Sequence, residues 1–118
     1  LFDDAVCFIA GVDLSHVGQR FGDTEDQSDS FLAGVEKTDR ELLDAAENMD
    51  AEAYLDVVIR EYDRTRVCGT SSIYTMMQAM DAERGELLKY DQAVLSITIR
   101  NKWCHLRVWP FIKRGVVG

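Results

Sequence analysis

Ala5-Val6-Cys7-Phe8-Ile9-Ala10-Gly11-Val12 is apolar at every position, and Asp13-Leu14-Ser15-His16-Val17-Gly18-Gln19-Arg20-Phe21-Gly22 follows it directly. A half-exposed strand alternates apolar and polar residues. A continuous apolar run predicts a strand buried on both faces, as in a parallel sheet. The polar side chains of the second stretch, with Gly18 and Gly22, predict a loop at the strand's carboxyl end. Open α/β sheets place their sites there.

Working outward, residues 25–48 predict a helix. Phe31, Val35, Leu42, Leu43 and Ala46 fall on one stripe of 3.6-residue period, and Glu36 and Arg40 pair one turn apart. Asp50 is the expected N-cap of a second helix with Leu55, Val58, Ile59 and Tyr62 as its apolar face, closed by residues 64–66. Residues 67–72 read as a loop turning into a third helix. Thr70 or Ser71 would cap it, Ile73, Met76, Met77 and Met80 would be its buried stripe, and Gly85 its stop. Leu87, Leu88 and Tyr90 suggest a short extended piece, and Val94–Ile99 a second strand. This order is an α/β pattern. Two or three strands do not satisfy a sheet for so many helices, so the expectation is an incomplete domain, a segment of something longer that begins at Leu1 and not at Met.

The chain has 118 residues and a net charge of −8, from 13 Lys+Arg against 21 Asp+Glu. So acidic a surface repels a phosphate backbone, which excludes a general nucleic-acid binder. No apolar run approaches the roughly 20 residues of a membrane-spanning helix, and 47% hydrophobic content excludes a disordered chain. Cys7, Cys68 and Cys104 form no CxxC pair, so neither a disulfide framework nor a zinc ribbon is indicated, and a cytoplasmic home with free thiols is expected. Every acid lies within residues 1–99, whereas the chain beyond Ile99 carries Arg100, Lys102, Arg107, Lys113 and Arg114 and no acid. Residues 1–100 and an atypical basic, aromatic tail at 101–118 are therefore read apart. The tail has two accounts: a shifted reading frame or erroneous terminus, or a segment that docks on an acidic partner or anionic lipid. The abruptness of the change favours the first.

Asp13 and His16 have the ingredients of metal ligation or acid–base work, because an imidazole binds borderline metals and a carboxylate orients the ring or ligates directly. On spacing alone, a turn-forming Asp with a hydrogen-bonded His is the simpler reading. Cys68 precedes Gly69 at a predicted helix start, where backbone N–H groups stabilise a thiolate. The simpler reading is an ordinary buried Cys, with Gly69 serving only to let the chain turn. Cys7 reads as core. Ser15 has no GxSxG elbow, and neither a GK[ST] nor a GxGxxG phosphate loop is present. Arg20 reads as a surface salt-bridge partner or a guide for an anionic ligand. His105 beside Cys104 lacks further ligands.

The run Asp13-Leu14-Ser15-His16-Val17-Gly18-Gln19-Arg20-Phe21 resembles the D-[LF]-[SC]-H-x-G-x-R-[FY] signature of the Memo family, whose bacterial and archaeal members are called AmmeMemoRadiSam system protein B. Arg66-Val67-Cys68-Gly69 matches the family's Cys-Gly at the head of a helix, and Leu87-Leu88-Lys89-Tyr90 is a looser third match. The resemblance covers about residues 5–100 and the C-terminal part of the family's domain. It implies an αβα layered fold similar to class III extradiol dioxygenases. The implied site joins Asp13, His16 and Cys68, as catalytic and metal-binding residues, to histidines of an N-terminal half that have no counterpart here. It also implies non-haem iron or copper, redox-linked chemistry, and Amme-domain and radical-SAM partners. The rival reading is a non-enzymatic module that uses the same pocket to bind a ligand or protein.

Overall fold

The computed structural model describes residues 8–24, 28–80, 82–92 and 110–111. Three helices dominate these: α1 (Asp29–Glu47), α2 (Ala51–Arg60) and α3 (Thr70–Ala79). Two short strands follow, β1 (Glu86–Leu87) and β2 (Pro110–Phe111). They pair antiparallel with Glu86 opposite Phe111 and Leu87 opposite Pro110. Pro110–Phe111, within the basic tail, thus shares a backbone ladder with β1.

Local chemistry sets the helix boundaries. The Ser28 hydroxyl accepts the Phe31 N–H at 3.3 Å, and Asp29 lies in the first turn, where a negative charge meets the positive end of the helix dipole. Beyond the end of α1, Met49 takes a left-handed φ of 54°, and the Asp50 carboxylate accepts the Ala53 N–H at 2.9 Å to start α2. The expected α1 stripe holds: Val35, Leu42, Leu43 and Ala46 are buried. So does the Glu36–Arg40 pair, at 2.6 Å.

The face of α2 differs from expectation. Ala51, Tyr54, Val57 and Val58 are buried, whereas Ile59 and Tyr62 are 61% and 94% exposed. Tyr62 falls beyond the helix end, in a turn where Tyr62 and Asp63 are left-handed at φ 52° and 49°. Small Ala51 and ring-bearing Tyr54 set the phase against α1 and α3. The start of α3 differs too. Its N-cap is Gly69, with no side-chain cap, and the Thr70 hydroxyl donates back to the Val67 carbonyl at 2.8 Å. The helix stops at Ala79, not at Gly85; the Gly85 N–H instead donates to the Glu47 carbonyl at 2.6 Å, tying β1 to the end of α1. Ile73 and Met77 are buried, and Met76 and Met80 are half-buried.

The expected buried strand at 5–12 is absent over its described part. Phe8–Val12 is irregular and Ile9 is 81% exposed. An apolar run becomes a strand only when a neighbour supplies a ladder of backbone bonds, and Phe8–Val12 carries no strand. Residues 5–7 and Val94–Ile99 lie outside the described residues. The core is thus mostly helical. Leu42, Leu43 and Ala46 of α1, Tyr54, Val57 and Val58 of α2, and Ile73 and Met77 of α3 enclose Leu14 and Val67 from the connecting loops.

Candidate metal centre

Leu14 and Val67 decide what their neighbours can do. Each is buried, at 2% and 5% exposure, so each pins an otherwise irregular segment to the core. Asp13 and His16 flank the first anchor, and Cys68 follows the second. Backbone bonds join the two segments: the His16 N–H donates to the Thr65 carbonyl at 2.6 Å, and the Gly69 N–H to the Asp13 carbonyl at 3.1 Å. The exposed Cys68 Sγ also lies 3.5 Å from the Asp13 carbonyl oxygen.

Gly69 explains how close the approach is. It sits at φ −78°, an ordinary helical value, so left-handed freedom is not what the position needs. A Cβ there would lie 2.7 Å from Val12 Cγ2 and 2.8 Å from the Asp13 carbonyl oxygen. The missing side chain lets the head of α3 press against Val12–Asp13. The Cys-Gly pair is therefore a packing device, not a turning one.

One carboxylate oxygen of Asp13, one ring nitrogen of His16 and the Cys68 Sγ all lie within 4.8 Å of one another. Asp13 Oδ2 is 3.7 Å from His16 Nε2, and both side chains are about four-fifths covered. The imidazole is oriented from behind: Nδ1 faces the carbonyls of Leu14 at 3.0 Å and Arg66 at 3.3 Å. Carbonyl oxygens only accept, so Nδ1 carries a proton, and Nε2 is the ring nitrogen turned toward Asp13. The edge of the Phe21 ring packs at 5.3 Å.

Two further groups support this loop. Arg66, left-handed at φ 52°, donates from Nη1 to the His16 carbonyl at 3.1 Å and pairs with Asp23 at 2.6 Å. Asp23 in turn accepts the N–H of Gly18, whose φ of 112° suits glycine. The Arg66 hydrogen bond, with that of Gly18, holds the Asp23 carboxyl below the usual range. On the core side, the fully buried Asp39 accepts the Ser15 hydroxyl at 2.5 Å and the Tyr90 hydroxyl at 2.9 Å. Burial pushes the Asp39 carboxyl up, against the opposing pull of those bonds. Neither Asp39, Arg66 nor Asp23 stood out as a site residue in the sequence. The available signal for Asp39 was an acid on the apolar stripe of α1, four residues after Val35. An open cleft beside the loop is lined by Val17, Gly22, Asp23, Thr24, Phe31, Arg64 and Thr65. The Arg20 side chain, Cys7 and His105 lie outside the described residues.

A carboxylate, an imidazole and a thiol gathered by a D-x-x-H loop and a Cys-Gly helix start define a protein with a metal-capable cluster. The family model described as Memo-like protein matches residues 1–100, and the chain belongs to that family. Neither the search of curated proteins nor that of solved structures returned a match. No described helix is long and apolar enough to cross a membrane.

Proposed function

We propose that this Memo-like chain contributes Asp13, His16 and Cys68 to a redox-linked iron or copper cleft. The observation that carries the reading is the convergence of three ligand types within 4.8 Å, with the imidazole locked so that Nε2 faces the gap. The donor set fits such an ion. Adjacent ligands around a first-row metal sit roughly 3.0–3.5 Å apart at bond lengths of about 2.0–2.3 Å. The Asp13–His16 spacing of 3.7 Å is close to this, and the exposed Cys68 thiol lies within 4.8 Å of both. Imidazole and thiolate favour iron, copper or zinc over magnesium or calcium.

A redox metal held there would supply electron transfer and oxygen activation. The protein's own part is orientation and proton placement. The Leu14 and Arg66 carbonyls keep a His16 proton on Nδ1, Asp13 sets a carboxylate beside Nε2, and Gly69 brings the thiol to the Asp13 segment. The corresponding architecture is the αβα layering of class III extradiol dioxygenases, with 1–100 as the Memo-like part and 101–118 as an appended tail. Amme-domain and radical-SAM proteins are the proposed partners, in the cytoplasm.

Anaerobic loading of the full chain with ferrous iron tests the proposal. Stoichiometric binding that is lost in His16→Ala and Cys68→Ala is expected. The open cleft favours a second reading, a binding module; partner binding that survives both changes, without metal uptake by the parent, would replace the first reading by the second.

A further inference from the structure

The Asp13–His16 loop is held residue by residue. The Asp13 carbonyl is tied to Gly69, the Leu14 side chain to the core, and the His16 N–H to Thr65. Ser15 is the remaining link, and its hydroxyl goes inward to Asp39. Position 39 lies on the buried face of α1 among Val35, Leu42 and Leu43, where an apolar residue of similar volume would pack without desolvating a carboxylate. Stability alone therefore does not account for an acid here. A carboxylate offers what leucine does not, two directional acceptors. One oxygen takes Ser15, adjacent to His16; the other takes Tyr90, itself bonded by Gln92, which reaches the Leu32 carbonyl of α1.

We propose that Asp39 is a positioning residue for the metal centre: by accepting the Ser15 hydroxyl from within the core, it fixes the loop at the height where Asp13 and His16 meet Cys68. This rests on the metal-centre reading above. Leu14 supplies burial, which is non-directional, and the backbone bonds at Asp13 and His16 lie on either side of Ser15. The Asp39 carboxylate takes both the hydroxyl and the backbone N–H of Ser15, and so holds the middle of the loop. The Tyr90 bond, on the other oxygen, anchors the segment after β1 and leaves the loop alone.

Cobalt(II) titration of the full chain separates these roles, because a bound thiolate gives a charge-transfer band and the ligand-field bands report geometry. Ser15→Ala and Asp39→Leu are expected to weaken cobalt binding about tenfold and to change the ligand-field bands, in the range typical of groups that orient ligands. Asp39→Asn keeps an acceptor for Ser15 and is expected to stay within about threefold of the parent. Tyr90→Phe is expected to lower the melting temperature while leaving the cobalt affinity and spectrum unchanged. Where Ser15→Ala does not fold, the Asn–Leu comparison at position 39 decides. Parent-like affinity and spectrum in Ser15→Ala and Asp39→Leu would overturn the positioning role, as would losses that merely follow melting temperature across all four variants. A parent chain that shows no thiolate band would instead remove the metal-centre reading itself.

Discussion

Replacing Gly69 with alanine adds one carbon at the tightest seam of the site. That carbon would sit 2.8 Å from the Asp13 carbonyl oxygen, about 0.6 Å inside ordinary contact, and 2.7 Å from Val12 Cγ2. The valine tip can rotate away, but the carbonyl is backbone and is already bonded to the Gly69 N–H. Relief therefore separates α3 from the Asp13 segment. Overpacking of this kind costs about 1–3 kcal/mol. Alanine is also a poorer N-cap than glycine, by roughly 0.5–1 kcal/mol, and its smaller unfolded-state freedom returns about 0.4–1 kcal/mol. The net loss is about 1–3 kcal/mol, or roughly 4–12 °C in melting temperature for a domain of this size. Moving Cys68 off Asp13 should also weaken cobalt binding about tenfold. Gly34→Ala is the matched control: within α1 its Cβ meets nothing within 4 Å, so it should gain about 0.5–1 kcal/mol. Thermal and urea melts with cobalt titration on both variants make the check. A Gly69→Ala protein that melts at or above the parent and binds cobalt equally well would refute the close-packing account.

Other outcomes follow from the charged and polar groups. Asp23 is held below its ordinary value by Arg66, so its contribution to stability is present above about pH 4 and is lost as pH falls through its folded value. Asp23→Asn should therefore cost less than about 1 kcal/mol at pH 7, the partner being partly exposed, and the gap to the parent should close in acid urea melts. Asp39 is shifted the other way: the folded state favours its protonated form, a gain present at low pH and lost as pH rises through the folded value. Asp39→Asn should thus gain stability relative to the parent as pH is raised from 4 to 7 in a denaturation series. The Tyr54 hydroxyl is buried with no hydrogen-bond partner among the described residues. Tyr54→Phe should be neutral or stabilising by up to about 1 kcal/mol in urea melts.

What could be read from sequence is what depends on near neighbours. The α1 stripe, the Asp50 cap and the Glu36–Arg40 pair are all set within a turn or two of chain, and all are found. Asp13, His16 and Cys68 were legible as residue types in a motif, and they do come together. Phe8–Val12 was misread because strand formation needs a partner that local composition does not supply. The α2 face departs from the Ile59 and Tyr62 stripe because the helix ends at Arg60 and its packing on α1 and α3 selects Ala51, Tyr54, Val57 and Val58. Asp39, Arg66 and Asp23 act through residues 24, 50 and 43 positions away in sequence, distances over which no periodicity speaks. Gly69 was identified but given the wrong reason, since only three dimensions reveal what its absent carbon would strike.

The joint between α2 and α3 turns on Tyr62, Asp63 and Arg66, three residues bent against the handedness their side chains prefer. Each such bend costs roughly 1–2 kcal/mol relative to a right-handed conformation. At Arg66 the bend aims a carbonyl at the imidazole, but at Tyr62, whose ring stands in solvent, it serves only to reverse the chain. The molecule therefore keeps untapped thermal headroom at Tyr62, where glycine or asparagine would release strain and remove no buried side chain.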